Sequence, residues 1–76
     1  MITLDRLPQG AIAAVRKLSG GKELKSRLSA MGLTEGAHLT VLQNRGNGPV
    51  LVKVRDTRIA LGRGEAIKVL VEQVAA

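Results

Sequence analysis

Ten residues, Arg27-Leu28-Ser29-Ala30-Met31-Gly32-Leu33-Thr34-Glu35-Gly36, constrain the fold of this chain more than any other stretch. Leu24, Leu28 and Met31 stand at i, i+4 and i+7, so they share one face of a helix predicted over about residues 22–31. Gly32 follows at once and supplies the left-handed conformation that ends many helices, at no Cβ cost. Leu33 is then placed to fold back onto the helix as the apolar partner of that stop. Gly36 adds a tight turn before the apolar alternation that starts at Ala37. The segment is a helix-to-strand hinge, and it holds no catalytic group.

The material around this hinge limits what it can join. The chain has 76 residues, enough for a single domain over 1–76, and at that size folding buries only roughly 60% of the unfolded surface. Apolar residues make up 45% of it, yet Phe, Tyr and Trp are absent, so the core must be built from aliphatic side chains, a composition suited to β-sheet packing. Cysteine is absent too, which excludes disulfides and thiolate metal sites and fits a reducing cytoplasm. Asp5 and Arg6 interrupt the first 15 residues, so no secretory signal is expected, and no apolar run approaches the ~18–20 residues of a membrane span. The expectation is a soluble cytoplasmic protein.

Turn signals recur about every ten residues. Leu4 to Gly10 reads as a lead-in closed by Pro8 and Gly10, and Ala11 to Leu18 as a first strand with Ala11, Ala13 and Val15 inward. Ser19-Gly20-Gly21 breaks it, with Ser19 or a nearby residue available to cap the helix. Ala37 to Leu42 alternates as a strand, Gln43 to Pro49 is rich in turn formers, and Val50 to Arg55 is the clearest strand, with Val50, Val52 and Val54 inward. Asp56-Thr57 is expected to turn into a hairpin partner at Arg58 to Leu61. Gly62 to Ala66 is a short connector with room for one helical turn, and Ile67 to Val71 closes the chain with Ile67, Val69 and Val71 inward, leaving Ala75-Ala76 to fray. The fold expected is mainly β: a small barrel of about five strands, with one short helix between the first and second strands plugging an open end.

Catalytic and metal chemistry find little support in this pattern. His38 is the single histidine, and Ser19, Ser26 and Ser29 lack the context of an activated nucleophile. Asp5, Glu23, Glu35, Asp56, Glu65 and Glu72 are scattered, so neither a metal nor a cofactor is expected. Gly46-Asn47-Gly48 and Gly62-Arg63-Gly64 do not extend into a phosphate-binding fingerprint and read as turns. The charge is more informative: 12 basic residues against 6 acidic ones give +6. Lys53, Arg55, Arg58 and Arg63 would supply an anion or nucleic-acid surface on the hairpin side, without the aromatic residues that usually stack single strands. The same residues also suit a solvated sheet face.

The ordered set of these pieces resembles the FeoA family of small cytoplasmic proteins of bacterial ferrous iron uptake. Leu4-x-x-Leu7-x-x-Gly10 resembles the family's opening, Gly20-Gly21 precedes the helix, and Arg27-Leu28-x-x-Met31-Gly32-Leu33-x-x-Gly36 is the most recognisable stretch. Gly48-Pro49-Val50, Ile59-Ala60-Leu61 and Ala66-Ile67-Lys68-Val69 resemble its C-terminal half. The resemblance implies an SH3-like β-barrel, no enzymatic activity, and a partner in the membrane ferrous iron transporter FeoB, whose cytoplasmic region binds GTP. Similar domains end iron-dependent repressors, and with no helix-turn-helix pattern read ahead of the barrel a repressor is not expected. On that reading the docking surface is an apolar patch with a basic rim at the helix end: Leu24, Lys25, Arg27, Met31 and Leu33. Leu28 is assigned to sealing the barrel mouth, and the rim charges would steer encounter.

Overall fold

The structure is a computed structural model that describes residues 1–75; the last residue of the expected frayed tail, Ala76, lies outside the described residues. Strand β1 (Ile2–Thr3) runs into a single 3-10 turn (Leu4–Arg6), followed by β2 (Ile12–Leu18) and helix α1 (Lys22–Ala30). Then come β3 (His38–Asn44), β4 (Val50–Val54), β5 (Thr57–Leu61), the one-turn helix α2 (Arg63–Ala66) and β6 (Val69–Ala75). All pairings are antiparallel, in one sheet of order β1-β6-β2-β3-β4-β5.

The mainly β reading holds, with two corrections. The described residues form six strands, because Ile2 and Thr3 pair with Val71 and Leu70 near the far end of the chain. The helix therefore lies between the second and third strands, not the first and second. Nor is the sheet closed into a barrel: β1 and β5 stand at its two edges with no ladder between them.

The core is aliphatic throughout. Leu4, Leu7, Leu28, Leu33, Leu39 and Leu61 are its largest fully buried side chains, and every buried side chain among the described residues is apolar. Val50, Val52 and Val54 point inward from β4, as their alternation requires. Leu4 opens the 3-10 turn, Leu7 follows it and both are fully buried, so the turn serves to fold two leucines over the sheet. In β2 the period breaks: Ala13, Ala14 and Val15 are all buried, and the register against β6 slips between Val15 and Lys17. Such a bulge re-aims side chains. Here it leaves Arg16 exposed and bonded to Glu72 at 2.7 Å.

Local competition explains the remaining differences. Ile67, expected inward, is 47% exposed. It caps α2 in a helical conformation (φ −69°, ψ −11°), so the strand parity that links it to Val69 does not apply. Ser19 does not cap α1; its hydroxyl donates to the Lys68 carbonyl at 3.0 Å, and Gly21 is the N-cap. Strand β3 continues through Gln43 and Asn44, which pair with Leu51 and Val50 despite their turn-forming character. The hairpin turn falls on Arg55-Asp56, one residue earlier than expected, because Val54 pairs with Thr57. The last strand starts at Val69 and runs past Val71 to Ala75.

Candidate functional site

Helix α1 is held at both ends by glycine. At its start Gly20 has φ +96°, and a Cβ there would come within 3.0 Å of Leu24 Cδ2. The missing side chain is what lets Leu24 lie against the chain entering the helix, next to the aliphatic stem of Lys68. At its end the Leu33 N–H donates to the Leu28 carbonyl (2.9 Å) and the Gly32 N–H to the Ser29 carbonyl (3.0 Å). With Gly32 at φ +97°, these two bonds form the Schellman stop expected from sequence. Leu28 and Leu33 are both fully buried, as the apolar partners of that stop should be.

The five candidate docking residues therefore divide. Leu33 is fully buried and supports the surface from below. Leu24 and Met31 are half-buried, packed on the core with part of each side chain at the surface. Lys25 is exposed and in no ion pair among the described residues. Arg27 is exposed but engaged: its guanidinium pairs with the Glu65 carboxylate, tying α1 to α2. Glu65 also accepts from the Gly62 N–H at 3.1 Å, so a single carboxylate caps α2 and holds Arg27. An open hollow lined by Lys22, Glu23, Ser26 and Arg27 runs along the outer side of the helix.

The anion-binding candidates divide as well. Lys53 and Arg58 are exposed and directly opposite each other on β4 and β5. Arg55 follows in the hairpin turn at φ +56°, a left-handed conformation unusual for a side chain larger than Asn. Arg63 is separate: half-buried, it donates through Nη2 to Asn44 Oδ1, and its Nε is buried without a partner. Asn44 itself donates to the Asp5 carbonyl (2.9 Å) and the Leu7 carbonyl (2.7 Å). It thereby links the 3-10 turn, β3 and α2. Asn44 belongs to the run of turn formers from Gln43 to Pro49, and no local signal marks this role, since its backbone partners lie 39 and 37 residues away.

His38 and Glu35 are both exposed, and among the described residues no group of three or more His, Cys, Asp or Glu side chains converges. No helix among them is long and apolar enough to cross a membrane.

The antiparallel sheet, its glycine-capped helix and its aliphatic core are the architecture of the small SH3-like β proteins. Within that class, a family profile described as the FeoA domain matches residues 2–73, and the chain belongs to the FeoA family. It is 39% identical over 72 residues to the protein assigned as Fe(2+) transport protein A of Methanocaldococcus jannaschii, covering 95% of this chain and 87% of that one. A crystal structure of FeoA, described as an iron uptake regulatory protein, superposes with a TM-score of 0.87 at 33% identity over 96% of each chain. The zinc complex of Stenotrophomonas maltophilia FeoA, described as an SH3-domain protein and a candidate activating factor of ferrous iron transport, gives 0.78 at 31% identity over 95% of this chain and 91% of that one. A manganese-dependent transcriptional repressor at 20% identity (TM-score 0.86) shares the fold alone.

Proposed function

We propose that this protein is a cytoplasmic accessory factor of ferrous iron uptake that binds the cytoplasmic region of a FeoB-type transporter and modulates it through protein contacts, without catalysing a reaction. The observation that carries the reading is the face of α1 that runs from Leu24 and Lys25 in its first turn to Met31 at its C-cap. Leu24 and Met31 present partly exposed apolar surface on a helix fixed by a Schellman stop, beside Lys25, which is in no ion pair among the described residues. Rigid apolar anchors ringed by charge are what a specific protein contact requires, and the surrounding charge acts mainly on association rate. The family's description and its relatives supply the transport context.

The test is binding of the purified protein to the transporter's cytoplasmic region, with nucleotide present, comparing wild type with Lys25→Glu and Met31→Ala. Lys25→Glu should slow association and reduce its salt dependence; Met31→Ala should speed dissociation. Absence of wild-type binding at low salt would overturn the proposal. Lys25 is a better probe than Arg27, because Arg27→Glu would set two carboxylates against each other at Glu65 and disturb the α1–α2 contact itself.

A further inference from the structure

Strand β5 stands at an edge of the sheet and carries basic residues beside that edge. Strand β5 pairs with β4 alone, and no other backbone hydrogen bond reaches Thr57–Leu61 among the described residues. The hairpin register fixes which groups are left over. Val54 and Thr57 flank a two-residue turn, which makes theirs a hydrogen-bonded pair, and Val52–Ile59 and Val50–Leu61 follow as the next such pairs. The intervening pairs, Lys53–Arg58 and Leu51–Ala60, are non-hydrogen-bonded across β4 and β5. The N–H and C=O groups of Arg58 and Ala60 therefore point out of the sheet. Both residues are exposed.

Charge selects what that edge can accept. Lys53 and Arg58 sit directly opposite each other, an arrangement that like charges oppose, and neither is in an ion pair among the described residues. Arg55 adds a third cation beside them, in a left-handed turn position where Gly or Asn would be easier. A second copy of this chain would bring the same three cations against these, so edge-to-edge pairing of copies is opposed. Nucleic acid would meet the charge but leave the outward backbone groups unused.

We infer that β5 accepts an extended acidic polypeptide segment as an added strand, with its backbone on Arg58 and Ala60 and its carboxylates on Lys53, Arg55 and Arg58. Peptide recognition by strand addition draws affinity from main-chain bonds and selectivity from alternate side chains.

The test is an amide-exchange and chemical-shift titration of the full chain by NMR, using a synthetic peptide of alternating Glu and Val. In the free protein the Arg58 and Ala60 amides should exchange quickly and those of Thr57, Ile59 and Leu61 slowly. The peptide should slow Arg58 and Ala60 at least fivefold. An equally charged peptide N-methylated on the bonding edge should bind at least fivefold more weakly, as should the Arg58→Glu protein. Ala60→Pro, which removes an outward N–H and no β4 bond, should do the same; the N-methylated peptide keeps the test sound if that variant folds poorly. The inference is overturned if N-methylation has no effect, if the shifts map away from β5, if the peptide instead drives self-association through β5, or if single-stranded DNA of equal charge binds more tightly than the peptide.

Discussion

Removing the Asn44 side chain should cost far more than an ordinary surface substitution. Its amide spans three segments through bonds to the Asp5 carbonyl (2.9 Å), the Leu7 carbonyl (2.7 Å) and the Arg63 guanidinium. Each such bond contributes a net ~0.5–1.5 kcal/mol, and a buried group left without a partner loses more. Three bonds at about 1 kcal/mol each, discounted for a half-buried site that water can partly reach, give about 2 kcal/mol for Asn44→Ala. For a chain whose total stability is of order 4–11 kcal/mol, that is a large fraction. With a urea slope of about 1 kcal/mol/M, the midpoint should fall by about 2 M at unchanged slope. Asn44→Asp separates the contributions, since it keeps an acceptor for Arg63 but offers no N–H to the two carbonyls. It should be destabilised within about 1 kcal/mol of the alanine variant. Urea unfolding of both proteins is the assay; if both lie within about 0.5 kcal/mol of wild type, the three-way link is not holding the 3-10 turn.

Other substitutions test separate parts of the structure. Gly32→Ala should lose about 1–2 kcal/mol by thermal or urea unfolding, and the cause is the left-handed backbone (φ +97°), since its Cβ would meet Val54 Cγ1 at an ordinary 3.5 Å. Arg55→Gly should gain roughly 0.5–1 kcal/mol by relieving a left-handed arginine, while weakening any anionic ligand of the hairpin. Leu28→Ala should cost about 2–5 kcal/mol, because the side chain is fully buried beneath the helix stop. Arg27→Ala should change stability by less than about 1 kcal/mol, its ion pair with Glu65 lying at the surface with the arginine side chain 58% exposed.

What could be read from sequence was what short-range chemistry fixes. The helix stop at Met31-Gly32-Leu33 needs only neighbouring residues, and the Val50-x-Val52-x-Val54 alternation announces a buried face by itself. Long-range pairing left no comparable mark. Ile2–Thr3 is too short for a period to register and becomes a strand only because Leu70 and Val71 lie beside it. Ile67 carries the parity of the last strand but is taken by the end of α2. The charged candidates show the same limit: spacing could nominate Lys53, Arg55, Arg58 and Arg63 together, yet only tertiary contacts tie Arg63 to Asn44 and Arg27 to Glu65. An apolar pattern likewise could not tell the fully buried Leu33 from the half-buried Leu24 and Met31.

The proposed docking of the α1 face that carries Leu24, Lys25 and Met31 on the transporter is open to direct measurement. Biolayer interferometry against the immobilised cytoplasmic region, in nucleotide and at low salt, tests it with wild type, Lys25→Glu and Met31→Ala side by side. Wild-type binding should be saturable, with at least fivefold slower association for Lys25→Glu and faster dissociation for Met31→Ala, both variants being folded by circular dichroism. No wild-type binding, or binding that neither substitution changes, would contradict it.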